Sequence, residues 1–122
     1  DYENKYKAKP PLPFMDSCYD AVAVVGLAIA KTIVDGKPIT GVNLRDNLRP
    51  VSNPPGDLVG VAEFKKALDA IKAKKDTDYS GAAGEQDFDK AGDVITPIAI
   101  WMYTGGTIKT IMTRKAKEIP PE

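Results

Sequence analysis

The residues with most chemical capacity fall in one stretch, 79–93, which reads YSGAAGEQDFDKAGD and gathers three aspartates, one glutamate and three glycines. Clustered carboxylates suggest a cation site first. Asp87, Asp89 and Gly92 fall at the first, third and sixth positions of a calcium loop, where ligands and a sharp-turn glycine belong. The fifth position is Ala91 and the twelfth is Ile98, where a bidentate glutamate should stand. With two side-chain ligands missing, the pattern predicts a hairpin turn with solvated carboxylates and no metal site. Asp89 suits the first position of a type I turn and Gly92 the left-handed position that follows, so Phe88 and Val94 should face each other across it.

The rest of the composition narrows the chemistry further. Histidine is absent, which removes the usual general base, the commonest metal ligand and every His-based triad. The single cysteine allows no internal disulfide and no zinc cluster. Seventeen basic residues balance seventeen acidic ones, so no net field steers the chain to nucleic acid. The carboxylates at 87–93 have no visible pocket or pKa-shifting neighbour, and the chain holds no Walker loop, dinucleotide fingerprint or nucleophile elbow. The reading is of a protein that is not an enzyme and needs no cofactor.

These residues must be positioned by the elements around them. The 122 residues are enough for one core and not two. Residues 1–9, with Tyr2 and Tyr6 one turn apart among charges, read as the end of a surface helix stopped by Pro10, Pro11 and Pro13. A chain that opens inside a helix is expected to continue upstream. The segment 19–34 reads as a helix apolar on nearly every face, with Ser17 and Asp20 as its capping box and Asp35-Gly36 as its exit. Its apolar run, 21–30, is too short to cross a membrane.

Thr40 should cap a short helix that stops near Pro50, with Leu44 and Leu48 on one face. The segment 62–75 should form an amphipathic helix through Phe64, Ala67, Leu68 and Ile71, its lysines solvated. Everything before the 79–93 stretch reads as helix and everything after it as strand. Segments 98–103 and 107–112 alternate as two strands of a hairpin turned by Gly105-Gly106. Trp101 and Tyr103 share one face, a pattern typical of core or inter-lobe packing.

The order of these pieces is informative. SCYDAVAVVGLAIAKT, SNPPGDLVGVAEFKKALDAIKAKKD, DYSGAAGEQDFDKAGDV and ITPIAIWMYTGGTIK follow one another along the chain. In this order and spacing the chain resembles the C-terminal third of a periplasmic solute-binding protein of ABC transporters, in the branched-chain amino acid receptor family. The most specific parts are Tyr-Asp-Ala at 19–21 and Y-x-G-x-x-G-x-x-x-F-D-x-x-G-D at 79–93.

The resemblance implies an α/β fold: part of a two-lobed periplasmic-binding-protein architecture, here three or four helices followed by a C-terminal β-hairpin. Residues 1–95 would be the helical part of the first lobe and Thr96-Pro97 a hinge crossing. Residues 98–112 would be the hairpin of the second lobe, and 113–122 a tail. It places the remaining two thirds of the family fold outside this chain, with most ligand contacts. Of those contacts it carries over Phe14, Met15 and Asp16, which precede the Tyr-Asp-Ala helix: Phe14 or Met15 to pack on a ligand side chain, and Asp16 to pair with a cationic group. Asp16 also suits a helix cap, the stronger expectation.

The implied partners are an amino acid or similar small carboxylate and an ABC permease, in a periplasmic or extracytoplasmic setting. By itself the chain should expose apolar surface and strand edge and so self-associate. The alternative expectation is a stand-alone oligomeric interaction module with no transport role.

Overall fold

The long apolar helix is the axis on which the other elements assemble. In this computed structural model residues 2–9, 12, 14–115 and 118 are described. The expected proline stop at Pro10, Pro11 and Pro13 and most of the expected tail lie outside them. The elements run α1 (Tyr2–Tyr6), α2 (Met15–Val34), α3 (Gly41–Ser52), β1 (Asp57–Val59), α4 (Phe64–Lys72), β2 (Thr77–Tyr79), β3 (Ile98–Thr104) and β4 (Thr107–Arg114). The class is mixed α/β, as expected.

Helix α2 turns one stripe inward. Asp20, Ala23, Val24, Leu27, Ala28 and Thr32 are buried, at the spacing of one helical face. They meet Val51 of α3, Ala67 and Ile71 of α4, and Val59 and Tyr79 of the first sheet. The opposite stripe stays open, with Val22 74% and Ile33 59% exposed. The twenty residues of α2 match a bilayer in length and apolarity, but its packed face makes it the core helix of an α/β unit. Thr32 ties it to α3, because Asn47 Nδ2 donates to Thr32 Oγ1 at 2.9 Å while that hydroxyl donates to Ala28 O at 2.7 Å.

Several expectations are corrected here. The Ser17–Asp20 capping box does not form. The helix begins earlier, its N-cap is Phe14 in the left-handed region (φ 62°), and no side chain caps it. Ser17 therefore lies within the first turn, and the helical register carries Asp20 to the buried face. Helix α3 is capped by Thr40 as expected, with Asn43 N–H donating to Thr40 Oγ1 at 3.3 Å. It does not stop at Pro50 but continues through it to Ser52. A proline near a helix C-terminus removes a single hydrogen bond, and burial of Val51 and Ser52 outweighs that loss. Helix α4 is shorter than the expected 62–75.

The largest correction is a sheet inside the part read as all helix. β1 and β2 pair in parallel, Asp57 with Thr77 and Val59 with Tyr79, with α4 as the crossover between them. Three-residue strands containing Asp57 and Asp78 offer no alternation to read. Gly56 permits their approach, since a Cβ there would come within 2.6 Å of the Thr77 backbone. Thr77 Oγ1 then donates to Val51 O at 2.8 Å, fastening the sheet to α3.

The hairpin forms as expected. β3 and β4 pair antiparallel, with a register shift between Ile100 and Trp101. Gly105 and Gly106 both take positive φ, 57° and 75°, as a two-residue turn matched to strand twist requires. Trp101 and Tyr103 do share a face, yet they lie outside the core of the described residues, 58% and 68% exposed.

Candidate functional site

The 79–93 stretch is pinned to the helices at two points. The first is a carboxylate clasp. Asp20 is fully buried, and its two oxygens collect donors from the stretch. Tyr79 Oη donates to Oδ1 at 3.1 Å, Ala82 N–H to Oδ1 at 2.8 Å, Ala83 N–H to Oδ2 at 2.7 Å, and Gln86 Nε2 to Oδ2 at 3.4 Å. The loop approaches closely because residue 81 is glycine: a Cβ there would overlap the Asp20 carboxylate. Burial pushes the Tyr79 phenol well above its ordinary range, and its hydrogen bond to Asp20 adds to the shift.

The second point lies at the end of α3. Asn53 imitates a strand residue, its Nδ2 donating to Phe88 O at 2.9 Å and its Oδ1 accepting from Phe88 N–H at 3.0 Å. Arg49 donates to the carbonyl of Asp89. The turn that follows is the expected one. Asp89 Oδ1 accepts from Gly92 N–H at 2.8 Å and Asp93 N–H at 2.9 Å, and Phe88 bridges to Val94. The amides of Asp93 and Gly92, with the charge of Arg49, hold the Asp89 carboxyl below the usual range. Asp89 Oδ1 is thus engaged by its own turn.

The carboxylates that converge are different ones. Oxygens of Asp78, Glu85 and Asp87 lie within 4.8 Å of one another. Burial raises the pKa of Asp78 and Asp87, and neighbouring carboxylates raise both further, Asp87 and Glu85 acting on Asp78 and Glu85 on Asp87. Asp78 Oδ1 is buried without a hydrogen-bond partner. This trio is the set of side chains best suited to a hard cation among the described residues. Beside it lies an open hollow of about 360 Å³ bounded by Glu85, Phe88 and Ile95. A larger groove of about 510 Å³ runs between α2 and α4, lined by Tyr19, Val22, Gly26, Leu27, Phe64 and Leu68. Its walls are apolar. It can hold hydrophobic groups and offers nothing to orient a charged one.

The residues expected to contact ligand sit together at the start of α2. Phe14 is 73% exposed, Met15 half-buried and Asp16 exposed. Neither hollow includes them. Asp16 lies in the first helical turn and accepts from Ser17 N–H at 2.9 Å, but it is not the cap. Thr96 and Pro97 occupy exposed, non-repetitive backbone between the Phe88–Val94 bridge and β3. The lysines of α4 and those just after it are solvated, as expected; Lys65 pairs with Asp69 at 2.7 Å, and Lys75, beyond the helix, with Asp57 at 3.7 Å. Asp20 is the central residue that the sequence reading misplaced. A lone carboxylate on the apolar face of a helix was the available signal, and proximity to Ser17 obscured it.

With this geometry in place, comparison with known proteins is informative. The chain is similar to the chemotactic signal transduction system substrate-binding protein BasB of Halobacterium salinarum, 32% identical over 103 residues. The match takes in 84% of this chain and 24% of that protein, so the chain spans about a quarter of its relative's length. No family model matches the chain, and no solved structure matches it. A 103-residue match within 122 residues takes in both Asp20 and the 79–93 stretch. The chain is thus similar to part of a substrate-binding protein, across the whole of the clasp.

Proposed function

We propose that this chain is the C-terminal part of an extracytoplasmic solute-binding receptor of the branched-chain amino acid receptor family, which takes up an amino acid or similar small carboxylate. The observation that supports this most is the Asp20 clasp. It joins Tyr-Asp-Ala at 19–21 to the 79–93 stretch, the two segments on which the resemblance rests, within the span matched by a substrate-binding protein. In this reading the receptor closes two lobes on its ligand, which favours the closed state by binding it more tightly. Residues 1–95 belong mostly to the first lobe, Thr96-Pro97 to a hinge strand and 98–112 to the second lobe. Phe14, Met15 and Asp16 reach the cleft, where the aromatic and thioether groups pack on ligand and the carboxylate meets a cationic group.

The receptor's partner in this reading is an ABC permease. The relative's place in a chemotactic signal transduction system favours a second partner class, a signalling protein that recognises the closed form. A stand-alone module that works by self-association is the alternative; the open face of α2 and the exposed hairpin favour it.

The test is thermal unfolding of the chain, and of a form extended at its N-terminus by the preceding coding sequence, against a panel of amino acids and small carboxylates. A ligand that binds only the folded state raises the midpoint with concentration. The expected result is a shift in the extended form and none in the 122-residue chain. A shift in neither form, across the panel, overturns the receptor reading.

A further inference from the structure

The 79–86 loop is shaped to hold a carboxylate. Ala82 and Ala83 present consecutive backbone N–H groups, one to each oxygen of Asp20, at 2.8 and 2.7 Å. Successive main-chain amides turned toward one point form an anion nest. Tyr79 Oη and Gln86 Nε2 supply a third and a fourth donor, again one to each oxygen. Paired donors on two oxygens match the flat, two-ended form of a carboxylate. Gly81 leaves the seat open, because a Cβ there would stand where the carboxylate lies.

The bonds that shape this loop do not involve Asp20. Gly81 N–H donates to Gly84 O at 2.8 Å and Gly84 N–H returns to Gly81 O at 3.3 Å, closing the loop on itself. Gln86 Nε2 also donates to Gly84 O at 3.1 Å. Ser80 N–H is fastened to Val59 O of β1 at 2.9 Å, and Ser80 bridges to Glu85. The nest is therefore preformed by its own backbone and by the sheet. Helix α2 contributes only the group that fills it.

We propose that the 79–86 loop is a carboxylate receptor whose tethered ligand is Asp20, and that a small free carboxylate takes the same seat when that side chain is absent. The seat is enclosed by described residues, since Asp20 is fully buried. The inference therefore stands independently of the receptor reading and of whatever packs on the outer faces of the chain. In the native chain the seat is always taken. A group fixed in place by the fold acts at an effective concentration far above molar, so free carboxylates do not displace Asp20.

The test uses formate, whose three heavy atoms correspond to the carboxyl group removed in Asp20→Gly. That variant also removes Cβ, which gives an unbonded carbon its room. A three-atom ligand reaches about millimolar affinity at best, so formate is titrated from about 1 to 300 mM with chloride holding the ionic strength constant. The urea midpoint of Asp20→Gly should climb with the logarithm of formate once the dissociation constant is passed. Exchange of the Ala82 and Ala83 amides should slow about tenfold near the top of the range. Asp20→Ala, kinder to helix α2, is run in parallel and should respond more weakly, because its Cβ takes part of the room. The native chain should respond to formate only as it does to salt in general. Asp20→Gly with Gly81→Ala should lose the response, since the new Cβ fills the seat. If Asp20→Gly is unfolded in chloride, formate should restore its far-UV dichroism. No effect of formate on either single variant beyond that on the native chain overturns the proposal. A response that survives Gly81→Ala overturns it too, because formate then binds elsewhere.

Discussion

Replacing Asp20 by alanine should cost the fold several kilocalories per mole, and the clasp geometry says where they go. The substitution strips the acceptor from Tyr79 Oη, Ala82 N–H, Ala83 N–H and Gln86 Nε2 at once. A buried donor left unpaired costs about 1–3 kcal/mol. Ala82 lies on the surface and its amide can be rehydrated, whereas Tyr79 is fully buried. The sum expected is therefore roughly 3–5 kcal/mol, against a total stability of roughly 6–18 kcal/mol for a chain of this length.

Gly81→Ala should be harmful by itself, by roughly 1–3 kcal/mol, because its Cβ would overlap the same carboxylate. The Gly81 backbone lies outside the left-handed region, so steric overlap alone carries that loss. Once Asp20 is alanine the obstacle is gone and Gly81→Ala should become nearly neutral, a coupling of about 1–3 kcal/mol between the two sites. Urea unfolding of the four proteins of the cycle, followed by far-UV dichroism, measures this. Hydrogen exchange at the Ala82 and Ala83 amides adds a local readout. Additivity within about 0.5 kcal/mol, or amides still protected in Asp20→Ala, would refute the clasp.

Three further outcomes follow from single groups. The Tyr79 pKa is raised in the fold, so its contribution to stability is complete below about pH 10 and is lost as pH climbs from there toward the folded value. In an ultraviolet titration of the five tyrosines, Tyr79 should ionise late, and Tyr79→Phe should remove that late step. Asp78 also has a raised folded pKa, so its charge opposes folding above the ordinary aspartate value of about 3.9. Asp78→Asn should therefore raise the urea midpoint at neutral pH and leave it unchanged near pH 3. Thr40→Ala removes the α3 cap and should cost about 1 kcal/mol by urea unfolding.

What the sequence determined by itself was local. The Thr40 cap, the Asp89–Gly92 turn, the Gly105-Gly106 hairpin and the paired Tyr2 and Tyr6 rings, 4.6 Å apart, all depend on residues within a few positions of one another, where side-chain chemistry and backbone preference act directly. Amphipathic α4 was readable for the same reason, in its inward residues if not in its ends.

Tertiary structure decided the rest. Strands β1 and β2 exist because partners twenty residues apart find each other across α4, and neither carries a strand pattern of its own. Pro50 sits inside α3 because burial of Val51 and Ser52 outweighs one lost hydrogen bond. Asp20 stands three residues after Ser17 and so resembles half of a capping box. Its actual donors lie 59 to 66 residues away, and no local rule reaches that far. Chain folding alone brings a buried carboxylate to the one glycine that leaves room for it.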